Sequence, residues 1–108
     1  MAYDEALAER IRERLDDSAG VTEKKMFGGI AFLTHGNMTV GVMRDDLIVR
    51  VGPGGMDAAL ARPGAHEFTM AGRTSKGWVV VDGAGLDDDV LTDWISRGAA
   101  FVGTLPPK

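Results

Sequence analysis

The stretch KKMFGGIAFLTHGNMTVGVMRDDLIVRV, residues 24–51, holds three strand-like runs separated by two short turn signals. Ile30 and Phe32 alternate with Ala31 and Leu33. Met38, Val40 and Val42 alternate with Thr39, Gly41 and Met43, and Leu47, Val49 and Val51 alternate with Ile48 and Arg50. A period of two is strand spacing, because successive side chains point to opposite faces of a sheet. His35-Gly36-Asn37 and Arg44-Asp45-Asp46 supply residues that tolerate turn dihedrals, and loops this short join only antiparallel neighbours. The spacing therefore predicts a three-strand meander. Its more apolar face, carrying Ile30, Phe32, Met38, Val40, Val42, Leu47, Val49 and Val51, requires a helical layer against it.

Working outward, Leu7, Ile11 and Leu15 recur every four residues with Ala8 beside them, while charged residues occupy the other faces. This predicts an amphipathic helix over residues 4–17, capped by Asp4 and stopped near Gly20. Gly28-Gly29 interrupts the strand pattern just before Ile30. A bulge, or a point where a helix backbone comes too close for a Cβ, accounts for paired glycines better than a ligand contact does.

Downstream, Gly52-Pro53-Gly54-Gly55 precedes a short helical run over residues 56–62 that Pro63-Gly64 ends. This lacks the dinucleotide fingerprint, which needs G-x-G-x-x-G opening a long helix. Gly72 and Gly77 have P-loop spacing, but Trp78 and Val79 stand where Lys and Ser/Thr must reach phosphate and magnesium. The segment over residues 72–77 is instead predicted as the turn of a second hairpin between strands at residues 67–70 and 78–81, placing Arg73 and Lys76 at a loop tip. Asp87-Asp88-Asp89 opens a second long helix. Capping and the helix dipole explain its carboxylates better than a metal site does. Val90, Leu91, Trp94, Ile95, Gly98, Phe101 and Val102 form its apolar stripe, with Trp94 and Phe101 expected in the core.

These elements make a two-layer α+β domain, α-β(3)-α-β(2)-α, with an antiparallel sheet. At 108 residues and 44% hydrophobic content, residues 1–108 suit one domain with its own core. The net charge of -4 opposes sequence-independent attraction to nucleic acid. Without cysteine there is no disulfide framework, thiolate nucleophile or Cys-ligated metal, which fits a cytoplasmic location. No run approaches the roughly 20 apolar residues of a membrane span. His35 and His66 have no Ser or Asp partner at a diagnostic spacing, so neither a triad nor an acid/base pair is indicated, and no catalytic, cofactor-binding or metal residues are named. The basic residues between the two long helices leave Lys24, Lys25, Arg50, Arg73 and Lys76 as a candidate interaction surface.

Four motifs in order carry a family resemblance: K-K-M-F-G-G-x-x-F at residues 24–32, G-N-M at 36–38, L-x-V-R-V-G at 47–52 and G-R-x-x-x-G-W at 72–78. Together they resemble the TfoX N-terminal domain family over nearly the whole chain. The resemblance implies an α-β-β-β-α-β-β-α two-layer fold similar to secretion-chaperone-like domains. It also implies kinship with regulators of natural competence, in which a second, C-terminal domain commonly follows; the present sequence ends at Lys108. The resulting expectation is a stand-alone, non-catalytic regulatory or protein-interaction module. An unidentified protein partner and a homodimer are expected, with no cofactor, no membrane and no tight nonspecific nucleic-acid binding. The alternative is a small-molecule or anion-binding domain that uses the basic loop and sheet surface.

Overall fold

The first helix begins where its cap begins. Asp4 Oδ1 accepts hydrogen bonds from the backbone N–H groups of Ala6 (2.9 Å) and Leu7 (3.1 Å), satisfying donors that a helix start otherwise leaves open. Helix α1 (Glu5–Leu15) follows and buries Leu7, Ala8, Ile11 and Leu15 on one stripe. The computed structural model describes residues 3–15, 20–26, 28–70 and 72–106. The expected helix end at residue 17 lies outside them.

Four strands come next: β1 (Val21–Met26), β2 (Gly29–Thr34), β3 (Asn37–Met43) and β4 (Asp46–Arg50). A 3-10 turn at Pro53–Gly55 leads into α2 (Met56–Leu60), then β5 (Ala65–Met70) and β6 (Arg73–Val81). Helix α3 (Asp88–Val102) closes the domain, with the Asp87 carboxylate accepting from Val90 N–H at 2.9 Å. All neighbouring strands are antiparallel, in the order β1-β2-β3-β4-β6-β5.

The α+β class and the two layers stand, but the sheet has six strands and not five. The addition is β1, paired along its length with β2 from Val21↔Thr34 to Met26↔Gly29. Its exposed Thr22, Glu23, Lys24 and Lys25 carry no apolar alternation, as suits an edge strand whose charges discourage further pairing. Gly28-Gly29 accordingly sits at the β1–β2 turn, with Gly28 at φ 75°. A Cβ on Gly29 would strike the Val42 carbonyl oxygen, so the close approach comes from strand β3 and not from a helix.

A bulge lies elsewhere, between Phe32 and Leu33, where the register moves from Phe32↔Val40 to Leu33↔Met38 and leaves Thr39 as the extra residue. This corrects the face assigned to Met38, which pairs with Leu33 on the side away from the helices. Thr39 is fully buried in its place, its hydroxyl 3.1 Å from that of Thr34. The helix does approach the sheet at a glycine, Gly98. A Cβ there would lie 2.9 Å from the Thr39 carbonyl oxygen.

The core forms between one face of the sheet and the helices. Phe32, Val40, Val49 and Val79 meet Ile11 of α1, Ala59 of α2 and Leu91 and Trp94 of α3. Trp94 is 0% exposed, as its place in the stripe requires. Phe101 is only half-buried and lies against Gly52 and Arg50 at the end of β4 instead of in the core, because it sits in the last turn of α3. Ion pairs tie the layers together at the surface. Arg12 binds Glu23 of β1 (2.6 Å) and also Glu9, while Arg10 and Arg14 share Asp88 of α3 (3.1 and 3.0 Å). These guanidinium hydrogen bonds hold the Glu23 and Asp88 carboxyls below their ordinary pKa. Asp87 and Asp88 are thus engaged in a cap and in ion pairs.

Candidate interaction cleft

With the helices on one side, the other face of the sheet has no second layer among the described residues. Register puts Ala31, Gly41, Ile48, Val80 and His66 in one row across it. Ala31 and Ile48 are nonetheless 0% and 4% exposed, so this face does not simply lie open. Phe68 of β5 and Ser75 of β6 line a cleft of about 280 Å³ together with Gly29 and Ala31, which lie three and more strands away. The sheet therefore coils into a trough. Part of the coiling is built into β6 at Gly77, whose φ of 89° only glycine adopts without strain. Its carbonyl accepts from both Val51 N–H (2.8 Å) and Gly52 N–H (3.0 Å), so the strand bends there and continues.

This bend corrects the expected second hairpin. Residues 73–77 belong to strand β6, and Gly72, with φ 79°, stands in the turn just before it. Thr74 stands opposite Thr69, hydroxyls 3.4 Å apart, and β-branched residues favour pairing over a long polar loop. Arg73 and Lys76 are consequently exposed strand residues and not tip residues.

The lining of the cleft is almost wholly apolar, with Met38, Ile48, Phe68 and Trp78 its principal side chains. At its Trp78 end stands Arg50, paired with Trp78 across β4 and β6 and two residues from Ile48 on the same face. The Arg50 guanidinium carbon lies over the Trp78 ring at 5.3 Å and over the Phe101 ring at 5.5 Å. Phe101 reaches this place because Gly52 has no side chain; the ring occupies the space a Cβ would need. Gly77, against the Gly52 backbone, keeps the same corner clear on the β6 side. The glycines that first suggested phosphate cradles thus act here by making room for an aromatic ring and an arginine.

Beside the cleft is a more polar hollow of about 400 Å³, lined by Arg44, Asp46, His66 and Glu67 among others. His66 Nε2 lies 2.9 Å from Asp82 Oδ1, within hydrogen-bond distance, a contact that their separation of sixteen residues in the chain conceals and the β5–β6 pairing creates. Both side chains are more than half exposed, at 55% and 60%, and no hydroxyl joins them among the described residues. His35 lies in the two-residue turn between β2 and β3, its ring over Gly20.

None of the five basic residues named from the sequence lines the cleft itself; Arg50 stands beside it through its pairing with Trp78. Lys24 and Lys25 are adjacent on β1 and take opposite faces, Lys24 in register with Ala31 on the cleft side and Lys25 with Ile30 on the helical side. Arg73 and Lys76 lie on β6, separated from β1 by three strands. Trp78, Phe68 and Met38 were missed as site residues because their apolar character reads as core. The signal that was present is alternation: in a strand that buries Val79 and Val81, Trp78 takes the opposite face. The chain matches the family model of the TfoX N-terminal domain over residues 13–102. No curated protein and no solved structure matches it.

Proposed function

Because the chain belongs to the TfoX N-terminal domain family, we propose that it is a non-catalytic regulatory or protein-interaction module, akin to the domain that opens competence regulators, and that it engages its partner through the trough. The observation that carries this reading is the apolar cleft on the face opposite the helices, where Met38, Phe68 and Trp78 stay partly exposed around a floor of Ala31 and Ile48. Large apolar side chains left in contact with water on one face mark an interaction site more often than chance placement. In-cell photo-crosslinking tests it. A benzophenone side chain at Phe68 should capture a discrete protein that the same group at Glu13, exposed on α1, does not. Capture from Glu13 alone would place the interface on the helices and overturn the assignment.

A second reading, binding of a small molecule or anion, draws on the adjoining hollow, whose Arg44 and His66 offer donors to an anionic group. Native mass spectrometry of the purified chain separates the two, since a retained metabolite adds a defined mass.

A further inference from the structure

Arg50 differs from the other arginines in how its charge is met. Among the described residues, Arg10, Arg12, Arg14, Arg62 and Arg97 are in ion pairs, whereas Arg44, Arg50 and Arg73 have no carboxylate partner. Arg44 and Arg73 are exposed to water, but Arg50 is half-buried. A guanidinium that surrenders hydration needs something in return. The ring faces of Trp78 and Phe101 supply a cation–π attraction, yet they do not supply oxygen acceptors for its five N–H groups. The group is held in place, and among the described residues nothing accepts from its hydrogen-bonding edge. The fork of a guanidinium matches a carboxylate, and an arginine already ordered by its neighbours loses less freedom when it binds one.

The apolar cleft begins where the Arg50 site ends, because Trp78 belongs to both. We propose that the trough takes an acidic-apolar peptide segment of a partner protein, with a large apolar side chain between Ile48, Phe68 and Trp78 and a neighbouring Asp or Glu carboxylate on Arg50. This inference rests on the protein-interaction reading and names the chemistry of the partner. The cleft, about 280 Å³ and lined by Ile48, Phe68 and Trp78, has the apolar walls that a large apolar side chain requires. Charge favours an acidic segment. Arg50 stands at one end and Lys24 on the same face toward the β1 edge, no acid lines the cleft, and Asp46 and Glu67 lie in the adjoining hollow beside Arg44 and His66. Asp46 is already engaged there, accepting from Gly83 N–H at 3.3 Å.

Random-peptide display on the whole chain, followed by titration of labelled selected peptides, tests the proposal. The selected sequences should place Asp or Glu within two positions of Phe, Leu or Trp and perturb the Trp78 and Ile48 resonances. Their affinity should fall at least tenfold with Arg50→Gln, less with Arg50→Lys, and fall with added salt on the unaltered protein, a readout that needs no variant to fold. Peptides without acid that bind in the cleft regardless of salt and of Arg50→Gln would overturn the acidic assignment and leave the protein-interaction reading standing. Short free carboxylic acids such as hexanoate binding as tightly as the peptides would replace the peptide with a small ligand. Failure to select any peptide, together with no crosslink from Phe68, would sink both.

Discussion

Gly98 and Trp94 lie one turn apart on α3, and opposite constraints act on them. At Gly98 a helix interior would gain about 1 kcal/mol from alanine by propensity alone. The added Cβ, however, would lie 2.9 Å from the Thr39 carbonyl oxygen and 3.1 Å from its Cγ2, and a backbone oxygen does not swing aside. Overpacking costs about 1 to 3 kcal/mol, so Gly98→Ala should destabilise despite its better propensity, and Gly98→Val should do so more. A denaturation midpoint raised by Gly98→Ala would show that α3 lifts off the bulge freely. At Trp94 the site is filled, not crowded. The side chain is 0% exposed, and Trp94→Ala should cost about 3 to 5 kcal/mol; an unmoved midpoint would contradict its place in the core.

The helices were legible in the sequence because their signals are local. Asp4 and Asp87 cap where their side chains predict, and the apolar stripes of α1 and α3 repeat at helical spacing. Strand β1 was not legible, since an edge strand needs no apolar alternation and its Lys24-Lys25 pair reads as surface. Nor was the trough: whether Met38 faces helix or cleft depends on one bulge residue, Thr39, and a register shift of one residue reverses a face. The attachment of β1 to α1 through Arg12 and Glu23 makes a prediction at this scale. A carboxyl whose pKa is lower folded than unfolded adds stability above its ordinary value near 4 and loses it as pH falls through the folded value. Glu23 and Asp88 are both lowered by arginine hydrogen bonds. Between neutral pH and 5 the wild type should therefore melt above Glu23→Gln, and the gap should close progressively below pH 4. A gap that stays constant down to pH 3 would assign the effect of the substitution to packing.

At the scale of the whole molecule, the two outer strands, β1 and β5, are the edges through which copies would pair, and β1 covers the outer edge of the predicted three-strand meander. Light scattering at micromolar concentration should give twice the chain mass if either edge pairs, and only an 11.5 kDa species if neither does. Nucleic acid is the other partner that the total charge bears on. Tight, sequence-independent binding takes several phosphate contacts from one surface, yet 12 basic residues stand against 16 acidic ones. Their arrangement adds to that deficit, because Lys24 and Lys25 face opposite ways, Arg50 is held between aromatic rings, and Arg10, Arg12 and Arg14 are spent on carboxylates. Binding by this chain alone should thus be confined to low ionic strength and vanish by about 150 mM salt, where the Debye length is about 8 Å. Gel-shift titration across that range checks it. Submicromolar affinity that persists at 150 mM salt would mean that Lys24, Arg73 and Lys76 act as one surface, and would favour direct action on DNA over recognition of an acidic peptide in the trough.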